Sequence, residues 1–161
     1  MKKLLLTILL IFFSCERTVI DLQIIDASDI KDQIRSHENS EAVLVNFWAT
    51  NCGPCVEEFP MIVELSKKYS ESGMKIYFVS ADWEDQKKEV KEFLIDQGVS
   101  GVSFLKEEGG DNEFINDINK DWSGAIPYTI VYNRKGDLTG AWEGKKDKNY
   151  FEKEIKKALS I

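Results

Sequence analysis

Apolar residues along the chain fall into two patterns, continuous runs and runs repeated every three to four positions. Residues 42–49 and 75–81 are nearly continuous apolar stretches rich in β-branched and aromatic side chains, which is typical of strands buried on both faces. Between them, residues 55–70 carry apolar side chains at helical spacing, which predicts a helix. The residues of this helix expected to face inward are Phe59, Ile62, Val63, Leu65 and Tyr69.

Helices and strands continue to alternate along the rest of the chain. The remaining predicted elements are helices over 26–40, 85–98, 111–119 and 147–160, a short strand over 102–107, and two hairpin strands over 128–133 and 138–144. Strands separated by helices favour parallel pairing, and the terminal hairpin adds an antiparallel pair. The pattern therefore predicts an α/β fold, a mixed central sheet with helices on both faces.

Length and charge narrow the class of protein. The 161 residues suffice for one domain whose core is stable without disulfide bonds. Acidic residues outnumber basic ones by 28 to 21, which argues against a nucleic-acid-binding surface. Lysines over 145–157 alternate with acidic residues and are interpreted as the solvated face of a helix. No nucleic acid is expected among the partners.

The first fifteen residues differ from the rest of the chain. Lys2 and Lys3 precede a ten-residue apolar run over 4–13, which has the layout of an export signal and is short for a membrane span. Ser14 and Cys15 follow, and this arrangement resembles a bacterial lipoprotein signal. The resemblance implies lipidation of Cys15. An uncleaved signal anchor, or a plain secretory signal in which Cys15 has no role, remains an alternative.

These observations predict three regions. Residues 1–15 are expected to be a lipoprotein-type signal peptide, residues 16–23 a tether, and residues 24–161 the folded domain. The expected location is the bacterial cell envelope, with the protein anchored to a membrane by its lipid.

Two of the three cysteines, Cys52 and Cys55, are separated by two residues and lie directly after a predicted buried strand. Such a pair forms a reversible disulfide, supplies half of a metal site, or is close in sequence without any function. A closed zinc site needs four ligands, and beyond this pair the chain offers only Cys15 and the single histidine, His37. Because His37 falls in a polar segment, the sequence favours a redox pair, with no metal and no cofactor.

The position of the two cysteines at a junction from strand to helix has a chemical rationale. A helix N-terminus offers unpaired N–H groups and partial positive charge, which stabilise a thiolate. Cys52, at the start, is expected to be the exposed nucleophile, and Cys55, one turn later, the shielded thiol that resolves the mixed disulfide. Pro54 suits a first-turn position, where its missing N–H costs nothing.

Two segments resemble the signatures of the thioredoxin superfamily. They are "FWATNCGPCVEEFP", over 47–60, and "SGAIPYTIVYNRKGDLTGAWEG", over 123–144. The resemblance implies a thioredoxin-like fold, a cis peptide bond at Pro127 facing the cysteines, and pairing of a substrate segment with the backbone of Ile126. The implied substrate contacts are Ile126, Gly53, Pro54 and Trp122, although a packing role for Trp122 is an equal alternative.

The export signal and the additional helix after residue 82 resemble the envelope-located TlpA-like branch of this superfamily. That branch includes thiol–disulfide reductases tethered to membranes, used for cytochrome maturation and for protecting exported thiols. The resemblance implies a monomeric enzyme that reduces disulfides of exported proteins and receives electrons from a membrane or envelope donor. A disulfide oxidase or isomerase, or a copper-delivery module, is the alternative.

Two positions depart from the pattern of cytoplasmic thioredoxins. Asn46 stands where they carry a buried Asp that accepts a proton from the second thiol, and Asn51 replaces the usual Trp before the first cysteine. Asn cannot accept that proton. Asp82 and Glu84, after the second predicted strand, are candidates for the role because strand C-termini share one sheet edge. Our hypothesis is that Glu84 accepts the proton. The alternative is that it is an acidic residue of the kind usually found at a helix N-terminus, with no role in the chemistry.

Overall fold

The computed structural model describes residues 19–161. Residues 19–161 fold into six strands and five α-helices, joined in two places by short 3-10 turns. The elements in chain order are β1 (Ile20–Ile25), α1 (Ala27–Arg35), β2 (Ala42–Trp48), α2 (Gly53–Tyr69), β3 (Met74–Ser80), α3 (Lys87–Asp96), β4 (Gly101–Lys106), α4 (Asp111–Ile118), β5 (Tyr128–Tyr132), β6 (Leu138–Glu143) and α5 (Lys148–Leu159).

The strands form one mixed sheet in the order β1-β4-β3-β2-β5-β6. The pairs β1/β4, β4/β3 and β3/β2 are parallel, whereas β5 runs antiparallel to both β2 and β6. The predicted α/β architecture with a mixed sheet is confirmed. The hairpin predicted near the C-terminus is the antiparallel pair of β5 and β6.

The first strand corrects the sequence analysis. The tether predicted over 16–23 is wrong from Ile20 onward, because Ile20 begins β1, which pairs along its length with β4. Ile20 and Leu22 point into the core at 3 % and 7 % exposure. The folded domain therefore begins before residue 24. Residues 1–18, including the predicted signal peptide and Cys15, lie outside the described residues.

Two helix starts and one helix end also differ from the prediction. Helix α1 ends at Arg35 rather than near residue 40. Helix α2 begins at Gly53, because Cys52 occupies its N-cap position and accepts a hydrogen bond from the backbone N–H of Cys55. Helix α3 begins at Lys87, after a 3-10 turn over Glu84–Gln86.

Two apolar clusters cover the two faces of the sheet. Helices α2, α3 and α5 pack on one face, where Phe59, Leu94 and Phe151 are buried. Helices α1 and α4 pack on the other face, where Ile30 and Phe114 are buried. Strand β2 is buried along its whole length because it lies between the clusters, as its continuous apolar run predicts.

This topology brings several chain segments to one edge of the sheet. Strands β2 and β3 end there, and the backbone N–H of Ala81 donates to the carbonyl of Trp48 at 2.8 Å. Because β5 is antiparallel to β2, the loop before β5 reaches the same edge. Among residues 19–161, no helix is both long and apolar enough to cross a membrane.

Candidate active site

Cys52 and Cys55 are joined by a disulfide bond at the N-terminus of α2. The backbone N–H of Cys55 donates to the Sγ of Cys52 at 3.3 Å, and Pro54 lies in the first turn. Cys52 is half-buried, whereas only 1 % of Cys55 is exposed. A partner protein can therefore reach the first sulfur but not the second.

The loop before β5 lies directly against the first cysteine. The peptide bond between Ile126 and Pro127 is cis, as the resemblance predicted. The carbonyl oxygen of Ile126 lies 3.8 Å from the Sγ of Cys52, a contact rather than a hydrogen bond because a disulfide sulfur carries no proton. Pro127 is buried and Ile126 half-buried, so the backbone of Ile126 borders the sulfur that a substrate would approach.

A carboxyl that the sequence analysis did not assign to the site lies on the same helix. Glu58 is 3 % exposed and accepts hydrogen bonds from the Nδ2 of Asn46 at 3.3 Å and the backbone N–H of Lys146 at 3.2 Å. Asn46 also donates to the Oγ1 of Thr129 at 3.0 Å. Burial raises the pKa of Glu58 to about 7, although these two hydrogen bonds and the charges of Lys145 and Lys146 oppose the shift.

Glu58 follows Cys55 by three residues on α2, and both side chains are buried. Residues three apart lie on one face of a helix, so this carboxyl shares the face of the resolving cysteine. The signal was present in the sequence. Glu58 precedes Ile62 by four positions and Leu65 by seven, which places it on the apolar face of the helix. Burial of a charged group on such a face is costly, so a carboxyl there indicates a specific role.

The two acids proposed from sequence lie after β3, and each has its own partners. Among residues 19–161, no hydrogen bond joins Asp82 or Glu84 to either cysteine. The carboxylate of Glu84 accepts from the backbone N–H of Glu108 at 3.3 Å. Asp82 is buried, and its carboxylate accepts from the backbone N–H of Thr50 at 2.9 Å, the Oγ1 of Thr50 at 2.6 Å and the Oγ of Ser80 at 2.7 Å. Asp82 thus ties the loop before Cys52 to the end of β3.

Trp122 packs beneath the loop that carries Ile126. Its Nε1 donates to the carbonyl of Ala125 at 2.9 Å, and its ring stacks on Tyr128 with centroids 4.5 Å apart. The side chain is 7 % exposed and lies 4.9 Å from the ring of Phe47. Trp122 therefore supports the loop from inside the fold.

Metal-ligating residues do not gather at the cysteines. Within the part of the chain that the structure describes, no group of three or more His, Cys, Asp or Glu side chains is arranged to hold a metal ion. His37 lies within 2.7 Å of Glu41 and 2.8 Å of the Tyr77 hydroxyl, on the side of the fold that carries α1.

Comparison with known proteins agrees with this geometry. Residues 19–159 match the family described as Redoxin. The chain is 29 % identical over 128 residues to the thiol-disulfide oxidoreductase ResA of Oceanobacillus iheyensis, covering 77 % of this chain and 62 % of that protein. It is 28 % identical over 116 residues to the thioredoxin-like protein YneN of Bacillus subtilis, covering 70 % and 62 % respectively. The match spans less than two thirds of the length of these relatives.

Solved structures share the fold. A thiol:disulfide interchange protein of the thioredoxin family from Chlorobium tepidum superposes with a TM-score of 0.66 at 27 % identity, covering 78 % of this chain and 83 % of that one. A DsbF homologue from Corynebacterium diphtheriae superposes with a TM-score of 0.65 at 16 % identity, covering 77 % and 75 %, and shows similarity of fold alone. The thioredoxin-like fold predicted from sequence is confirmed.

Proposed function

The chain belongs to the redoxin family, and from this premise we propose that it is a thiol–disulfide oxidoreductase that works through Cys52 and Cys55. The observation that carries the proposal is the disulfide at the start of α2, with a half-buried first sulfur against Ile126 and a second sulfur buried behind it. A pair placed this way can open to a dithiol and close again without rearrangement of the core.

The proposed reaction transfers two electrons. In the reduced protein, the thiolate of Cys52 attacks one sulfur of a substrate disulfide, whose S–S bond breaks and whose departing thiolate takes a proton. The thiolate of Cys55 then attacks the Sγ of Cys52, which releases the second substrate thiol and closes the disulfide of the protein. The substrate gains two electrons and two protons, and the enzyme loses them until an external dithiol donor reduces it again.

Two features support Cys52 as the attacking group. It occupies the N-cap of α2, where the helix dipole favours a negative sulfur. The backbone N–H of Cys55 already points at this sulfur at 3.3 Å. Gly53 and Pro54, both exposed, form the outer side of the same turn and give a partner protein access to it.

Cys55 must lose a proton before it can attack, and Glu58 is the best placed acceptor of the three acids considered for this role, Asp82, Glu84 and Glu58. Glu58 shares the buried face of α2 with Cys55, and its raised pKa of about 7 is matched to proton transfer near neutral pH. Glu84, the hypothesis from sequence, lies on another element, where its carboxylate is bonded to the backbone of Glu108.

The dipeptide between the cysteines favours a reducing role. Gly-Pro is the pair found in thioredoxin, whose potential is about −270 mV, against about −120 mV for the strong oxidant DsbA. The substrates proposed are disulfides of exported proteins, and the donor is a dithiol protein of the membrane or envelope. The protein is proposed to act as a monomer.

The location rests on residues 1–15, whose resemblance to a lipoprotein signal supports lipidation of Cys15 and attachment to a membrane of the cell envelope. Expression of Cys15→Ser in a bacterial host tests this. The variant should lose metabolically incorporated palmitate and leave the membrane fraction, and retention of both label and membrane fractionation would refute lipidation.

The reduction potential of the Cys52–Cys55 pair in the full chain tests the proposed direction. Equilibration with defined dithiol buffers, followed by thiol quantification, should give roughly −250 mV or below. A potential of about −150 mV or above would instead assign an oxidising role. Cys52→Ser is the control, because it must abolish disulfide exchange altogether.

A further inference from the structure

A cavity of about 200 Å³ opens beside the loop that carries Ile126. It lies between the ends of β3 and β4, helix α4 and this loop. Its inner surface is mainly apolar, formed by Phe47, Val79, Phe114, Ile115 and Trp122. We refer to it as the Ile126 cavity. Helix α4 and the end of β4 form its outer wall.

The size of the Ile126 cavity sets the size of its occupant. Pockets for small-molecule ligands and cofactors usually measure about 300 to 1,000 Å³, whereas an apolar cavity of about 150 Å³ accommodates one benzene ring. The 200 Å³ available here therefore suit a single aromatic side chain.

The charged groups at the mouth already have partners, so they do not call for a charged ligand. Lys106 forms an ion pair with Asp111 at 2.7 Å. The carboxylate of Asp82 is bonded to Thr50 and Ser80, and that of Glu108 accepts from the backbone of Glu84. An apolar occupant leaves all of these contacts in place.

An exposed aromatic residue stands at the same opening. Trp83 is 62 % exposed although it lines the Ile126 cavity. Exposed tryptophans beside an apolar depression are typical of sites where a partner binds, because burial of the ring then contributes to affinity.

Ile126 links the cavity to the reactive sulfur. Its side chain lines the cavity, while its carbonyl oxygen lies 3.8 Å from the Sγ of Cys52. A substrate segment paired with this backbone advances about 3.3 Å per residue, with successive side chains on opposite sides. Side chains within two residues of the attacked cysteine therefore lie within about 7 Å of it along the strand, beside the residue that lines the cavity.

We propose that the Ile126 cavity receives one aromatic side chain of the substrate protein, carried within two residues of the cysteine that bonds to Cys52. The proposal rests on the proposed function, because it requires a disulfide-bearing segment at this backbone. It adds a preference for aromatic residues beside the target disulfide.

Disulfide-linked homodimers of short peptides test the preference, because either sulfur that Cys52 attacks then belongs to the same peptide. Four peptides carry Phe one or two residues before or after the cysteine, and a fifth has Ser at all four positions. The reduced full-length protein is mixed with each, and released peptide thiol is measured by chromatography. At one of the four positions, Phe should raise the second-order rate constant roughly tenfold over the Ser peptide, since burial of a Phe side chain is favourable.

Two variants and a control assign the preference to the cavity. Ala81 is exposed and lines the cavity, so Ala81→Trp should fill it and reduce the rate ratio of the Phe and Ser peptides to below about twofold. Trp83→Ala removes the exposed aromatic side chain at the opening and should lower the same ratio, with little risk to folding. Leu138→Ala removes an apolar side chain that is 50 % exposed on β6, and should leave the ratio as in the unmodified protein.

The outcomes separate the inference from the function on which it rests. If every peptide is reduced at the same rate, or if Ala81→Trp retains the full ratio, the aromatic site is refuted while disulfide exchange stands. If the unmodified protein reduces no peptide at all, the proposed function fails and the inference with it.

Discussion

Glu58 is a buried carboxyl whose two hydrogen bonds do not offset the cost of removing its charge from water. Its pKa lies at about 7 in the fold, against an ordinary value of 4.5. The folded state therefore holds a proton that the unfolded state has released, and the stability contributed by this group is full below about pH 4.5 and lost as the pH rises through about 7.

The first prediction concerns this stability. Glu58→Gln removes the titration and keeps an acceptor for the backbone N–H of Lys146. The stability of the variant relative to the unmodified protein should therefore increase as the pH rises. Its advantage in free energy of unfolding should be about 2 kcal/mol larger at pH 8 than at pH 5. Urea denaturation of both proteins at the two pH values measures the difference, and other titrating groups cancel. An advantage that does not change with pH would contradict the raised pKa.

The second prediction concerns proton transfer from Cys55. The mixed disulfide formed at Cys52 should be resolved faster as the pH rises through about 7, because Glu58 becomes able to accept a proton there. Glu58→Gln should remove this inflection and slow resolution about a hundredfold at pH 8, the usual scale of general-base catalysis. Rapid-quench measurements of one turnover follow the step.

Glu84→Gln is the matched control for that experiment, and it also tests the hypothesis drawn from sequence. We expect its pH profile to keep the inflection, because Glu84 is bonded to the Glu108 backbone on another element. Loss of the inflection in Glu84→Gln, with a normal profile in Glu58→Gln, would reverse the assignment.

At the scale of elements, the loop between β2 and α2 is fixed by a carboxylate from the next strand. Asp82 accepts three close hydrogen bonds, two from Thr50 and one from Ser80. This attachment holds the start of α2, and hence Cys52, against the end of β3. It also explains why an acid after β3 needs no direct role in the chemistry.

The third prediction follows from these contacts. Asp82→Ala should lower the free energy of unfolding by about 3 kcal/mol, because it leaves three donors without their acceptor in a buried position. Asp85→Ala, at an exposed position of the adjacent 3-10 turn, should change it by less than about 0.5 kcal/mol. Chemical denaturation compares the two, and equal effects would show that Asp82 does not anchor the loop.

Elements with a strong local pattern were predictable from sequence, and those decided by distant partners were not. Strand β2 carries an uninterrupted apolar run, and α2 follows a motif with defined chemistry, so both were found. Strand β1 alternates polar and apolar residues over only six positions, and its pairing depends on β4, some eighty residues away. The position of Glu58 on the apolar face of α2 was visible in the sequence, but its partners Asn46 and Lys146 were not, because they come from other parts of the chain.

At the scale of the whole molecule, the sheet places the reactive pair at one edge and supports it from both faces. One cluster includes Cys55 and Phe59 of α2, and the other includes Phe47 and Trp122 below the loop of Ile126. The two sides of the site therefore rest on opposite faces of the same strand, β2. Substitutions that disrupt the packing of either cluster should therefore disturb the position of the cysteines through strand β2.

The fourth prediction concerns the start of the folded domain. A chain beginning at residue 24, the boundary expected from sequence, lacks the buried side chains of Ile20 and Leu22 and leaves most of β4 without its parallel neighbour. Loss of these two side chains alone should cost about 3 to 6 kcal/mol, a large part of the stability of a typical domain. A chain beginning at residue 19 should unfold cooperatively in urea, whereas the shorter one should be largely unfolded or aggregate through the exposed edge.

The exposed residues of the same strand provide the control. Gln23→Ala in the chain beginning at residue 19 keeps every buried side chain of β1 and should change the unfolding free energy by less than about 0.5 kcal/mol. If the chain beginning at residue 24 proved as stable as this control, β1 would be dispensable. The core would then be complete without it, and the boundary expected from sequence would describe the folding unit better than the paired strand does.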